Sequence, residues 1–220
     1  MAVELSMQTP IAQSCAQIVD ESLRRAVQSA TDQMIPVLDR STTHISLLVQ
    51  SEETSTTSIA VSVVAALMGH KNMRIAIIVP NAGRGHLMIR AIRHHLMTNP
   101  AYTAEMRNST DRHGLFFFPT PYDRSAVADI RVVEILIDSV KEGNDSFWLG
   151  WMDDILEMQT VPAKPADLIF IGDFFHARPN TLDWVANHLR HTEAHTIALG
   201  ISRSASDSCV VIDALLDSCK

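Results

Sequence analysis

The eight residues Ser51-Glu52-Glu53-Thr54-Ser55-Thr56-Thr57-Ser58 stand where a loop could cradle phosphates, yet they carry little of the chemistry that task requires. An apolar, strand-like run from His44 to Gln50 leads into them, and a helix-like run from Ser58 to Met68 leads out. Laid on G-x-x-x-x-G-K-[ST], the segment fits in length, and only the final hydroxyl, Ser58, matches. Ser51 and Thr56 take the glycine positions, and Thr57 takes the lysine position.

A phosphate cradle turns successive backbone N–H groups inward, which needs glycine where φ is positive or the backbone comes close to the anion. Thr is β-branched and tolerates positive φ poorly. Without lysine no side-chain charge meets the terminal phosphates. Glu52 and Glu53 add negative charge, opposing an anion by roughly 1 kcal/mol per contact in water and about 4 kcal/mol at an effective dielectric of about 20. These residues do not support tight ATP binding. A Ser/Thr-rich surface turn with no such ancestry fits the segment equally well.

The elements that must position this segment alternate along the chain. Ile11 to Leu38 reads as helix, with a break expected near Ser29-Ala30-Thr31-Asp32. Met73 to Pro80 is the clearest buried strand, followed by a helix from Gly85 to Met97. That helix puts Met88, Ile89, Ile92 and Leu96 on one face and Arg90, Arg93 and His94 opposite. Strands are expected at Leu115 to Phe118, Asp167 to Ile171 and Thr196 to Ile201. Helices are expected at Ser125 to Val140, Phe147 to Met158, Thr181 to His191 and Ala205 to Ser218. Apolar strands alternating with helices imply an α/β fold, three layers with a central, mostly parallel sheet.

Composition sets the outer bounds. The 220 residues suffice for one full domain, read as residues 1–220 with 1–40 as an N-terminal helical segment. At 46% hydrophobic and 20% charged the chain is of ordinary globular composition. A net charge of -7 argues against gripping nucleic acid by bulk electrostatics. Cys15, Cys209 and Cys219 lack C-x-x-C spacing, which suits a reducing compartment, cytoplasmic or nuclear, and offers no zinc site. No signal-like or membrane-spanning run is evident, so no membrane partner is expected.

Taken in order, these segments resemble the first RecA-like domain of a DEAD-box RNA helicase. Met34-Ile35-Pro36-Val37-Leu38 resembles the end of the Q-motif helix, with Thr31 where the adenine-reading glutamine would be. Val49-Gln50-Ser51 resembles the A-Q-S opening of motif I, and Ile77-Ile78-Val79-Pro80 the strand of motif Ia. Asn81-Ala82-Gly83-Arg84 replaces the T-R-E-L that touches the RNA backbone, and Phe118-Pro119-Thr120-Pro121-Tyr122-Asp123-Arg124 resembles the T-P-G-R motif. In Leu168-Ile169-Phe170-Ile171-Gly172-Asp173, Gly172 replaces the magnesium-anchoring Asp of motif II, and Asp173 takes the place of the catalytic Glu. Leu199-Gly200-Ile201-Ser202 falls where S-A-T would follow its strand.

The departures share a direction. Hydrolysis in this family needs the loop lysine, a carboxylate on Mg²⁺ and a second carboxylate on water. Thr57 and Gly172 remove the first two. The resemblance therefore implies a pseudo-ATPase with no cofactor, its ATP/Mg site vestigial at Ser51, Thr56, Thr57 and Ser58. It implies RNA contacts at Arg84, Arg90, Arg93, Thr120 and Arg124. A protein partner would find its anchor at Trp148 and Trp151, which head an apolar stripe with Ile155 and Met158.

Three alternatives stand beside it. The first is a weak nucleotide-binding NTPase with an atypical loop. The second is a solvated helix face rather than an RNA edge around Arg90 and Arg93. In the third, Gly172-Asp173-Phe174-Phe175-His176 resembles the G-D-x-x-H region of binuclear metallophosphoesterases, with Asp111-Arg112-His113 as an upstream D-x-H; Asn187-His188 lacks the glycine of G-N-H, and no G-H-x-H exists. His188, His191 and His195 lack a carboxylate or Cys at ligand spacing and read as a surface cluster.

Overall fold

The computed structural model describes residues 7–70, 73–79, 82–99, 114–119, 133–136, 166–172 and 194–201. Helix α1 (Gln8–Cys15) places Pro10 in its first turn, where the missing N–H costs no intrahelical bond. Helix α2 (Glu21–Leu38) starts where the Asp20 carboxylate accepts from the Leu23 N–H at 2.8 Å. It buries Val27, Ala30, Thr31, Met34, Val37 and Leu38, a helical-period face. The expected break at residues 29–32 is absent. The Thr31 hydroxyl bonds back to Val27 O and Gln28 O within the same helix, and the interruption falls instead between Ala16 and Asp20.

Strand β1 (His44–Val49) feeds helix α3 (Glu52–Gly69), and β2 (Arg74–Val79) feeds α4 (Ala82–Thr98). Strands β3 (Gly114–Pro119), β4 (Val133–Leu136), β5 (Leu168–Ile171) and β6 (His195–Ile201) complete a six-stranded sheet in the order β1-β6-β5-β2-β3-β4. All neighbours run parallel except β3 and β4. The chain is thus an α/β fold with a mostly parallel sheet.

Strand β4 corrects the helix expected from Ser125 to Val140 at residues 133–136, and the rest of that span lies outside the described residues. The run Ile130-Arg131-Val132-Val133-Glu134-Ile135-Leu136-Ile137 satisfies a helical period and a strand period alike, and its β-branched content favours the strand. The helices expected at 147–158, 181–191 and 205–218 lie outside the described residues.

Strands β2 and β5 are buried at every position, and β6 at every position after His195, so both faces of the sheet are covered over these three strands. The connections β1-α3-β2 and β2-α4-β3 step the same way along the sheet. Right-handed crossovers put both helices on one face, where they pack on each other. Helix α3 lies between α2 and α4, with α1 also against it. From Ser58 to Leu67 every residue of α3 is buried, apolar or small on all sides. Each fully buried Val or Ile contributes roughly 1.5–3 kcal/mol of transfer free energy, so burial rather than propensity holds α3.

Candidate functional site at the strand ends

Open parallel sheets bind ligands beyond the C-terminal ends of their strands, where the winding direction reverses. Here the order steps one way from β2 to β3 and the other way from β5 to β6, so the ends of β2 and β5 meet at such a reversal. The N-termini of α3 and α4 open toward the same end of the sheet, because each follows directly on the C-terminal end of a strand.

Only Gln50 and Ser51 separate β1 from α3. Ser51 is extended, with φ -150 and ψ 159, and its Oγ accepts from the Thr54 N–H at 3.1 Å while pairing with Thr54 Oγ1 at 2.9 Å. Helix α3 therefore begins six residues before the expected Ser58, and every residue of the supposed cradle after Ser51 is helical. The cause is legible: Ser-Glu-Glu-Thr supplies a capping hydroxyl, and two carboxylates favour the positive end of the helix. Thr56, Thr57 and Ser58 sit in the second turn, where N–H groups belong to the helix ladder rather than to a loop. Thr56 and Thr57 are half-buried. Ser58 is fully buried, and neither its Oγ nor that of Ser55 has a hydrogen-bond partner among the described residues.

Part of the charge at this turn is paired within the chain. The Arg84 guanidinium, at the start of α4, forms an ion pair with Glu52 in the first turn of α3. An incoming phosphate would have to displace a carboxylate that both the helix end and Arg84 already favour.

Gly172 follows β5 directly, and its N–H donates to Ile78 O of β2 at 2.9 Å. A Cβ on Gly172 would stand 2.8 Å from Ile59 Cδ1 of α3, with Met88 Cε of α4 at 3.9 Å and Ile78 O at 4.0 Å. The position that the helicase resemblance assigns to a magnesium-holding carboxylate is therefore a packing contact beneath α3. No side chain fits there unless Ile59 moves.

Among the described residues the other expected positions do not gather at one site. Arg90 is exposed and Arg93 half-buried on α4, whose buried face is Met88, Ile89, Ile92 and Leu96 as expected. Thr31 is fully buried at the α1 side, where it hydrogen-bonds Cys15, so it does not stand ready to read a base. Burial pushes the Cys15 thiol up to about 11, a shift partly offset by that bond. Asp173, Thr120, Arg124, Trp148, Trp151 and Ser202 lie outside the described residues, as do Asp111, His113, His188 and His191.

Two features had no counterpart in the sequence reading. A cleft of about 620 Å³ opens between α2, the end of β1 and the start of α3, lined by Glu21, Arg25, Gln33, Leu48, Gln50 and Thr54 among others. On α4, His95 is buried with its Nδ1 unpartnered, and burial, with a smaller contribution from His94, pulls its pKa down to about 4. Neither could be read from periodicity, since each depends on which helices meet.

Among the described residues no helix is long and apolar enough to cross a membrane. Comparison with protein-family models, with curated proteins and with solved structures gives no match for this chain.

Proposed function

We propose that this chain is a catalytically inactive, helicase-like α/β domain that works as an interaction module, binding a protein partner and, more weakly, RNA. The observation that carries the reading is the filled space at Gly172. Where an ATPase of this plan needs a carboxylate on Mg²⁺, Ile59 closes on a bare backbone. Two further observations support it. The β1–α3 turn is too short to wrap a phosphate, and its helix end is capped by Ser51 with Glu52 and Glu53 in the first turn. Arg84, at the start of α4, is paired with Glu52.

Losing a charge clamp on a transferring phosphoryl group costs several kcal/mol of transition-state stabilisation, and here two clamps are replaced. ATP turnover by the purified chain should therefore stay at background. Turnover at the rate of an active helicase, abolished by Asp173→Ala, would overturn the proposal.

A further inference from the structure

We propose that the outer face of α4 docks an acidic helical segment of a partner protein that carries apolar residues at both ends. The inference rests on the interaction-module reading and names the partner's chemistry.

Helix α4 holds Arg84, His86, Arg90, Arg93, His94 and His95 and no Asp or Glu in its 17 residues, within a chain that has 25 acidic and 18 basic residues. A solvated helix face in such a chain would ordinarily interleave carboxylates with its cations at i,i+4 spacing. Burial sorts these groups. Arg84 turns to Glu52, His95 is buried and Arg93 is half-buried, while His86, Arg90 and His94 are exposed.

Exposed apolar side chains flank them: Leu87 is 47% and Met97 56% exposed. Leu87, Arg90, His94 and Met97 fall at i, i+3, i+7 and i+10, one line about 15 Å long on a helix rising 1.5 Å per residue. Such a line, apolar at each end with the Arg90 guanidinium between, is complementary to a helix with carboxylates between apolar anchors. RNA fits less well. Phosphate affinity accumulates over several cationic contacts, and no Phe, Tyr or Trp on this line offers a base a stacking platform.

The test is fluorescence anisotropy on the full chain with two labelled probes. One is a synthetic helical peptide with Leu at both ends and Glu between; the other is a 12-nucleotide oligouridylate, about one nucleic-acid site in length. The proposal expects peptide binding at roughly 10–100 μM, weakened at least about tenfold by Arg90→Glu and several-fold by Leu87→Ser with Met97→Ser. All three positions are exposed, so the variants should fold, and circular dichroism checks that they do. No peptide binding below about 1 mM would overturn the proposal, as would binding indifferent to both variants, or tighter Arg90-dependent binding of the RNA. A melting scan of the same preparation with Mg·ATP reports separately on the inactive-ATPase reading, so the two failures are distinguishable.

Discussion

Ile59 Cδ1 lies 2.8 Å from the place a Cβ on Gly172 would occupy, so α3 and the end of β5 meet where a side chain at 172 fits only if Ile59 turns aside. The contact ties the residue after Ser58 to the residue that stands for a metal-binding carboxylate. It turns one position of expected chemistry into a packing constraint.

Filling that contact should destabilise the chain in proportion to size and charge. Gly172→Ala should cost about 1 kcal/mol, since the end of the Ile59 side chain can turn aside. Gly172→Asp should cost about 3 kcal/mol or more, because it overpacks the site and buries an unpaired carboxylate. Urea denaturation measures both. A Gly172→Asp chain as stable as the parent, and further stabilised by Mg²⁺, would contradict this account of the site.

Ser58 supplies the complementary experiment. Its hydroxyl is the one part of the cradle pattern that survives, yet it is fully buried and has no partner among the described residues. Removing a buried, unsatisfied hydroxyl and keeping its carbon should be neutral or stabilising, by up to about 1 kcal/mol. Ser58→Ala is therefore expected to raise the denaturation midpoint. A loss of more than about 1 kcal/mol would mean that the hydroxyl has a partner.

The central strands were legible because they are short apolar runs bounded by polar residues. Met73 to Pro80 and Thr196 to Ile201 coincide with β2 and β6 to within a residue at each end. The start of α3 was not. A Ser/Thr-rich segment looks like a turn, whereas Ser51-Glu52-Glu53-Thr54 works as a cap and first turn once the helix is held by burial. Strand β4 was hidden because its apolar run fits two periods, and pairing with β3 decides between them. At the candidate site the sequence identified which residues depart from a nucleotide-binding pattern. It could not show that Ile59 fills the space at Gly172 or that Arg84 is paired with Glu52, since both contacts are tertiary.

His95 gives the fold an acid-sensitive point. Its pKa is about 4 in the folded chain against 6.5 ordinarily, so the unfolded chain takes up the proton first as pH falls. The stability this neutral histidine contributes is fully present above about pH 6.5, declines through the window below it, and is lost by about pH 4. The loss is of the order of 3 kcal/mol. Urea midpoints at pH 7 and at about pH 4.5 should differ in the parent and draw closer in His95→Leu. An unchanged pH dependence in that variant would assign the effect to other groups.

The most direct test of the central claim, that the β1–α3 turn no longer accepts a triphosphate, is thermal unfolding with and without saturating Mg·ATP. The account predicts no change in Tm, because Glu52 and Glu53 occupy the helix end and Gly172 offers magnesium no carboxylate. A ligand at a hundred times its Kd would add about 2.7 kcal/mol, which raises Tm by roughly 5–10 °C for a chain of this size. A shift of that size, lost when Thr56 and Thr57 are replaced, would contradict it.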